Sequence, residues 1–150
     1  MKKLISILIP CYNEALSLPI LIPKLEDRAN NLKQYDWEIL CVNDGSKDNT
    51  LEVLRDLRKE YNRVNYIDLS RNYGKENAML AGFDYVKGDC MVIMDADLQH
   101  PPHVIIQMLE KWEEGNDDVY ASRLSRGKES WLRKKLSLLY YRILQRSTRL

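Results

Sequence analysis

Residues 4–14 have the sequence LISILIPCYNE, and this stretch decides the fold. Its first seven residues, 4–10, form an aliphatic run that is typical of a strand covered on both faces. Tyr12, Asn13 and Glu14 follow almost at once and are polar. The stretch therefore predicts a central buried strand with a polar group at its carboxyl end.

The same pattern recurs along the chain, with segments of helical periodicity between the apolar runs. Further strands are predicted at residues 37–42, 64–69, 90–94 and 118–121. Helices are predicted at residues 16–32, 50–61, 76–86 and 101–114. Gly88 and Gly115 follow two of these helices, where a left-handed cap is expected. The alternation predicts an α/β fold with a mostly parallel sheet flanked by helices.

The formal charge of +1 over 150 residues hides a strong division. After Ala121 there are nine basic residues and one acid, which leaves 14 basic and 21 acidic residues before it. The two parts carry about −7 and +8, which indicates a polyanionic partner for the basic end. Three cysteines without C-x-x-C spacing favour reduced thiols over a zinc site. The chain begins without a signal peptide pattern and has no run of about 18 apolar residues.

Residues 94–102, MDADLQHPP, contain the strongest candidate site. Asp95 and Asp97 stand two residues apart after a buried strand, close enough to share a hard cation with phosphate oxygens. Mg²⁺ and Mn²⁺ prefer such ligands, and Gln99 can add a neutral oxygen. The alternative is an acidic turn that caps the helix after Pro101. The strand before the carboxylates and the proline-initiated helix after them favour a metal and diphosphate site.

Two polar clusters are candidates for holding a nucleoside. Tyr12 offers a face on which a base can stack, and Asn13 and Glu14 can bind its polar edge. A simple strand-to-helix turn is an equally good interpretation of these three residues. In residues 43–46, NDGS, Asp44 can accept a hydrogen bond from a ribose hydroxyl or a base N–H. An Asx-type turn is the competing interpretation there.

Arg71 and Lys75 lie in the sequence RNYGK before a predicted helix, where they can meet a diphosphate or belong to a solvated loop. No G-x-G-x-x-G occurs, and Gly74 and Lys75 lack the upstream glycine of a P-loop. Because ligands bind at the carboxyl ends of parallel strands, the polar clusters there predict one continuous pocket. These clusters are residues 12–14, 43–46, 70–72, 95–97 and 122–123.

The basic segment 122–150 predicts a cationic amphipathic helix that begins near Trp131. Its apolar residues repeat three and four apart: Leu132, Leu136, Leu139, Ile143 and Leu144. Such helices lie in lipid headgroup layers, so we expect residues 1–121 to form the core and 122–150 to form a membrane-surface segment. A helix packed on its own domain is the alternative. Nucleic acid is a weaker partner because the aromatic residues cluster with aliphatic ones.

Together these residues resemble glycosyltransferase family 2, which has the inverting GT-A fold, a Rossmann-like sheet. More narrowly, the chain is similar to the polyprenyl-phosphate glycosyltransferases, the group that includes dolichyl-phosphate mannose synthase and bactoprenol glucosyltransferase. The resemblance covers essentially the whole chain. Six motifs in order carry it: IPCYNE (9–14), VNDGS (42–46), SRNYGK (70–75), MDADLQHPP (94–102), ASRLSR (121–126) and WLRK (131–134).

The resemblance implies roles for matching residues. Donor binding is expected from Pro10, Tyr12, Glu14 and Asp44 on the resemblance, and from Asn13, Arg71 and Lys75 on the chemistry of their side chains. Metal and diphosphate binding is expected from Asp95, Asp97 and Gln99. Acceptor phosphate binding is expected from Arg123, Arg126, Arg133 and Ser137, with Asp95, Asp97 and Arg123 as the catalytic group.

The activity implied is inverting transfer of a sugar from a nucleoside diphosphate, a UDP-hexose, to undecaprenyl or dolichyl phosphate. The cofactor would be Mg²⁺ or Mn²⁺, and the site would lie at the cytoplasmic face of a bacterial membrane. Members of the group commonly continue into transmembrane helices, which we expect after the basic segment. Homo-oligomerisation is left open.

Three alternatives remain from the sequence. One is a family 2 transferase with a different acceptor, such as a cell-wall or surface polysaccharide. Another is a sugar nucleotidyltransferase, but that class usually has a glycine-rich basic loop after the first strand, where this chain has Tyr12, Asn13 and Glu14. The third is a non-catalytic module that binds a membrane surface.

Overall fold

The computed structural model describes residues 1–98 and 103–121. Strands are β1 (Lys3–Cys11), β2 (Tyr35–Asn43), β3 (Val64–Asp68) and β4 (Cys90–Ile93). Helices are α1 (Leu18–Asn31), α2 (Thr50–Glu60), α3 (Lys75–Phe83) and α4 (His103–Glu113). The contacts between residues divide the chain after Asp117, and all of these elements lie in the first part, Met1–Asp117.

The described strands form one parallel sheet with the order β3-β2-β1-β4. Strand β1 is central, and its Ile7 pairs with Ile39 of β2 and Val92 of β4. The chain moves outward from β1 through β2 to β3 and then returns to add β4 on the other side of β1. The direction of winding therefore reverses between β1 and β4, and ligands bind at the carboxyl ends of strands at such a point.

The two faces of the sheet have separate cores. Alternate residues of the central strand, such as Ile7 and Ile9, pack with the buried faces of α1, α2 and α4. Leu8, Leu40 and Val42 lie on the other face and pack with Ala78 of α3. Both faces of the central strands are thus covered, as the continuous apolar runs predicted. The predicted class, a mostly parallel sheet flanked by helices, is confirmed.

The predicted fifth strand at 118–121 is wrong, because these residues have no strand conformation and no ladder partner in the described sheet. Tyr120 is 85% exposed, and Val119 is only partly buried. Two apolar side chains next to Asp117 and Asp118 bury too little surface to hold an isolated strand of four residues. The periodicity of a segment this short carries little information about its pairing.

Gly88 is not the left-handed helix cap that was predicted, since α3 ends at Phe83 and Gly88 has no positive φ. Its role is steric. A Cβ atom at Gly88 would lie 2.5 Å from Ser6 Oγ and 2.8 Å from the Leu4 carbonyl oxygen. Gly115, by contrast, follows α4 with φ of +96°, as predicted.

Within residues 1–98 and 103–121, no helix combines the length and hydropathy needed to cross a bilayer. The basic segment 122–150, the predicted acceptor residues in it, and residues 99–102 with the predicted metal ligand Gln99 lie outside the described residues. Their predicted roles therefore stay predictions.

Candidate functional site

A cavity of about 320 Å³ opens at the carboxyl edge of the sheet. It is bounded by the end of β1, by the segments that follow each of the four strands, and by the start of α3. The lining residues are Pro10, Cys11, Tyr12, Glu14, Asp44, Asn72, Gly74, Lys75, Asp95, Ala96 and Asp97. Four of the polar clusters that the sequence placed at strand ends contribute to it, although they are up to 85 positions apart along the chain.

The predicted metal ligands are positioned by buried neighbours. The amide of Met94 donates to the Leu8 carbonyl at 3.1 Å, which continues the pairing of β1 and β4 beyond the strand. Met94 and Ala96 are buried. Asp95 and Asp97 alternate with these two buried residues and line the cavity. The apolar residues thus fix where the carboxylates lie.

The lining of the cavity is acidic. Glu14, Asp44, Asp95 and Asp97 supply four carboxylates, and Lys75 is the basic residue among the described residues that line it. The Lys75 ammonium pairs with Asp95, with 2.5 Å between Nζ and Oδ1. The excess of carboxylates favours the binding of a cation. An anionic ligand would be repelled by them unless a cation bound with it.

The donor atoms fit Mg²⁺ or Mn²⁺. Asp95 and Asp97 supply hard oxygen ligands, and such ions are commonly held by one or two carboxylates, with phosphates and water completing the shell. Within residues 1–98 and 103–121 there is no group of three or more His, Cys, Asp or Glu side chains that could hold a metal alone.

Asp44 is bonded to the neighbouring loop. It is 3% exposed, and its two carboxylate oxygens accept from the amides of Tyr73 at 2.7 Å and Gly74 at 2.9 Å. Its own amide donates to the Cys11 carbonyl at 2.8 Å. Asp44 thus connects the ends of β1 and β2 to the start of α3. Each carboxylate oxygen has a second lone pair, which leaves acceptor capacity toward the cavity.

Gly45 permits the close contact of the loops after β2 and β3. Its φ is +62°, and a Cβ atom there would lie 2.2 Å from the carbonyl carbon of Arg71. No side chain fits between two backbones at that distance, so only glycine allows this packing.

Two of the predicted donor-binding residues lie outside the lining. Asn13, with φ of +58°, accepts from the Lys47 amide at 2.8 Å, and its own amide donates to Ser46 Oγ at 2.9 Å. Asn13 therefore joins the turn after β1 to the turn after β2. The Arg71 guanidinium lies over the ring of Tyr73, 4.8 Å from its centroid. Donor contacts from Asn13 and Arg71 stay predictions.

Tyr12 and Glu14 lie where the cavity meets solvent. Tyr12 is 41% exposed, which leaves its ring available for stacking. The Glu14 amide donates to Thr50 Oγ1 at 2.8 Å, and its carboxylate accepts from the Ser17 hydroxyl. These bonds fix the turn before α1 and hold the Glu14 side chain beside the cavity.

Sequence reasoning placed Asn72 in the predicted pocket through the cluster 70–72, but it missed Cys11 and Gly74 as lining residues. A hydrogen bond with Cys41 and burial raise the pKa of the Cys11 thiol well above its ordinary value, so this thiol is neutral and part of the floor. Asn72 and Gly74 belong to the motif that contains Lys75 and precede a helix N-terminus. Their position before a helix could have predicted that they line an anion-binding cavity, because backbone amides at the start of a helix bind anions.

Known proteins with similar sequences are glycosyltransferases. The model of glycosyl transferase family 2 matches residues 6–150. The chain is 44% identical over 144 residues to the uncharacterized glycosyltransferase sll0501 of Synechocystis sp., with 96% of this chain and 45% of that protein covered. It is 43% identical over 143 residues to the uncharacterized glycosyltransferase YkcC of Bacillus subtilis, with 95% and 44% covered. The chain thus spans slightly less than half the length of these curated relatives.

Two solved structures share the fold. The mannosyltransferase PcManGT of Pyrobaculum calidifontis, in complex with GDP-Man and Mn²⁺, superposes with a TM-score of 0.63 at 18% identity, over 73% of this chain and 32% of that chain. TarS of S. aureus, in complex with UDP-GlcNAc, gives 0.63 at 20% identity, over 86% and 39%. Since the family model covers nearly the whole chain and relatives above 40% identity match almost all of it, the chain belongs to glycosyl transferase family 2.

Proposed function

We propose that the cavity binds a nucleoside-diphosphate sugar, a UDP-hexose, and that the hexose is transferred with inversion to a polyprenyl phosphate. One observation carries this proposal. Asp95 and Asp97 lie in the same cavity as Tyr12, Asp44 and Lys75, at the reversal point of a parallel sheet. A stacking ring, oxygen ligands for a hard ion and one ammonium are what a nucleoside diphosphate requires.

Asp95 and Asp97, with Gln99, would hold Mg²⁺ or Mn²⁺, which when bound acts as a Lewis acid toward the leaving diphosphate. Tyr12 stacks on the base, and Glu14 and Asp44 accept hydrogen bonds from the nucleoside. Two structural neighbours support this class of donor, since PcManGT was solved with GDP-Man and Mn²⁺ and TarS with UDP-GlcNAc.

The acceptor proposed is a lipid phosphate monoester, whose second pKa is about 6. At neutral pH it is already largely anionic, so it needs positioning more than it needs a strong general base. Arginine is suited to this because its guanidinium binds phosphate in a bidentate manner. Arg123 and Arg133, with Arg126 and Ser137, are proposed to supply these contacts at the cytoplasmic face of the membrane.

A ligand screen tests the proposal. Thermal unfolding would be followed with UDP-glucose, UDP-GlcNAc and GDP-mannose, each with Mn²⁺ and again with excess chelator. A donor present at 100 times its dissociation constant should stabilise the native protein by about 2.7 kcal/mol. We expect a UDP-sugar to raise the melting temperature only when Mn²⁺ is present. If no nucleotide sugar changes the melting temperature of folded protein, the donor assignment is wrong.

The acceptor is tested by product analysis. Protein incubated with the donor found in the screen and undecaprenyl phosphate should give a glycosylated lipid phosphate of the expected mass, with inverted anomeric configuration. Transfer to a polysaccharide acceptor, and none to the lipid phosphate, would replace the acceptor and keep the donor site.

A further inference from the structure

The ion pair between Lys75 and Asp95 raises a question about how a metal ion enters the site. Lys75 is the first residue of α3, and Asp95 lies just after β4. Their charged atoms are 2.5 Å apart, and the two side chains are 51% and 34% exposed. The ammonium is thus paired with a carboxylate that, in the proposed function, binds the divalent ion.

Two cations compete for that carboxylate oxygen. A divalent ion that approaches Asp95 must either displace the ammonium or stay beside it at a repulsive distance, since like charges at 4 Å oppose each other even in a polar environment. Lysine is suited to displacement because its ammonium is a compact charge on a flexible four-carbon stem with three donors. No backbone movement is required for the ammonium to leave.

The backbone that carries Lys75 is fixed. The Gly74 amide donates to Asp44 at 2.9 Å, and the Gly74 carbonyl accepts from the Ala78 amide at 3.0 Å, which begins α3. The movable part is therefore the side chain. Lys75 and Asp95 line the same cavity, so a diphosphate held beside Asp95 would also bring oxygens within reach of the ammonium.

We propose that Lys75 is a positioning residue that exchanges between two anions. In the ligand-free protein its ammonium neutralises Asp95, and when the donor and the metal bind, it moves to the diphosphate. A metal ion that binds alone then breaks the Lys75–Asp95 ion pair and leaves the ammonium without an anion. A metal ion that binds when the donor is present does not, because the ammonium is already paired with the diphosphate. This inference rests on the proposed function, because it assumes that Asp95 holds the metal. Its consequence is that metal and donor each tighten the binding of the other by the same factor.

Calorimetry of Mn²⁺ binding, with and without saturating UDP, tests the exchange. The variants are Lys75→Met and Lys75→Gln, which remove the charge, and Lys75→Arg, which keeps it. Lys59→Met is the matched control, because Lys59 pairs with Asp56 at 2.8 Å on the exposed surface of α2. An exposed pair of this kind contributes up to about 1 kcal/mol, equivalent to about a fivefold change in affinity.

We expect Lys75→Met and Lys75→Gln to bind Mn²⁺ alone about two- to fivefold more tightly than wild type. The factor by which UDP tightens Mn²⁺ binding should fall at least as much in these variants. Lys75→Arg should keep most of that factor, and Lys59→Met should behave as wild type. These quantities are affinities, so they are measured without turnover.

Two outcomes overturn the exchange. One is that the neutral Lys75 variants bind Mn²⁺ alone no more tightly than wild type, and the other is that they keep the full effect of UDP. If wild type itself shows no chelator-sensitive UDP binding, the proposed donor site fails, and the exchange fails with it. If wild type shows that binding and the neutral variants leave the coupling unchanged, the exchange alone is wrong.

Discussion

Asp95 and Asp97 both line the cavity and alternate with buried residues. Asp95 pairs with Lys75, and Asp97 is an exposed residue of the same lining. The buried side chains of Met94 and Ala96 hold the segment in place. A change of charge at Asp97 should therefore alter ligand binding and leave folding nearly unaffected.

The first prediction concerns Asp97→Asn. The amide lacks the charge that a hard cation requires, so Mn²⁺-dependent UDP affinity should fall by more than about tenfold, which is the lower end of the loss when even an outer-shell partner of a metal site is changed. Stability should change by less than about 0.5 kcal/mol, as for most exposed positions. Calorimetry with UDP and Mn²⁺ measures the first effect, and urea unfolding measures the second. The control is Asp117→Asn, at an exposed position outside the lining, which should bind UDP as tightly as wild type. If Asp97→Asn also binds UDP as tightly as wild type, the assignment of Asp97 as a metal ligand is wrong.

Asp48 gives a prediction about pH. Burial raises the pKa of Asp48, but hydrogen bonds from the Thr50 hydroxyl and from the amides of Thr50 and Ala15 lower it, and the net pKa lies below 3.8. A depressed folded-state pKa contributes stability that is present above the unfolded pKa and lost as pH falls through the folded pKa. The stability difference between wild type and Asp48→Asn should thus be largest at pH 6 and shrink below about pH 4. Urea midpoints at pH 6, 4 and 3 measure this, and a constant difference would contradict it.

At the scale of elements, the turns after β1, β2 and β3 act as one unit. Asp44 bonds to the start of α3, Asn13 bonds to Lys47, and the Glu14 amide bonds to Thr50. Helix starts and strand ends are therefore joined by side chains that satisfy backbone groups, which keeps the edge of the cavity rigid.

Gly45 and Gly115 offer a matched test of that unit. Both have positive φ, but a Cβ at Gly45 would lie 2.2 Å from Arg71, whereas at Gly115 nothing lies within 4 Å. Gly115→Ala should lose about 1–2 kcal/mol, the cost of a left-handed alanine. Gly45→Ala should lose clearly more and should also weaken UDP binding, because the loop before α3 must shift. Urea unfolding and calorimetry measure both, and equal losses would show that the loops are not packed as described.

At the scale of the whole molecule, charge is divided between the two predicted parts. The part up to Ala121 carries about −7 and the remainder about +8, so the remainder is expected to meet an anionic surface. The chain spans slightly less than half the length of its curated relatives. The activity of the whole protein is therefore a proposal.

Vesicle binding tests the predicted membrane surface. Vesicles with anionic lipid should sediment the protein, and purely zwitterionic vesicles should not, since each basic residue near an anionic surface contributes about 1 kcal/mol. Replacing Arg133, Lys134 and Lys135 together by Gln should release the protein from anionic vesicles. The same replacement at Lys24, Lys47 and Lys59 is the control and should have little effect. Equal release by the two triple variants would contradict a specific role for the segment.

Much of the fold could be predicted from the sequence. The apolar run of residues 4–10 and the similar runs after it predicted four of the strands to within two residues at each end, because a parallel strand covered on both faces needs a largely apolar stretch. Helix α3 was predicted to reach residue 86 but ends at Phe83. Its periodicity was weak, since Leu80 and Phe83 are exposed and do not mark a single buried face.

The site was predicted less completely, because its contacts join distant residues. The sequence alone determined that carboxylates and a tyrosine follow strands, and strand polarity then placed them at one edge of the sheet. Only the tertiary structure decided that Asp44 binds the amides before α3, that Asn13 faces Lys47, and that Lys75 meets Asp95 across 20 positions. The physical reason is the distance along the sequence. Periodicity depends on residues a few positions apart, whereas the partners that meet at the edge of the sheet depend on strand order and register.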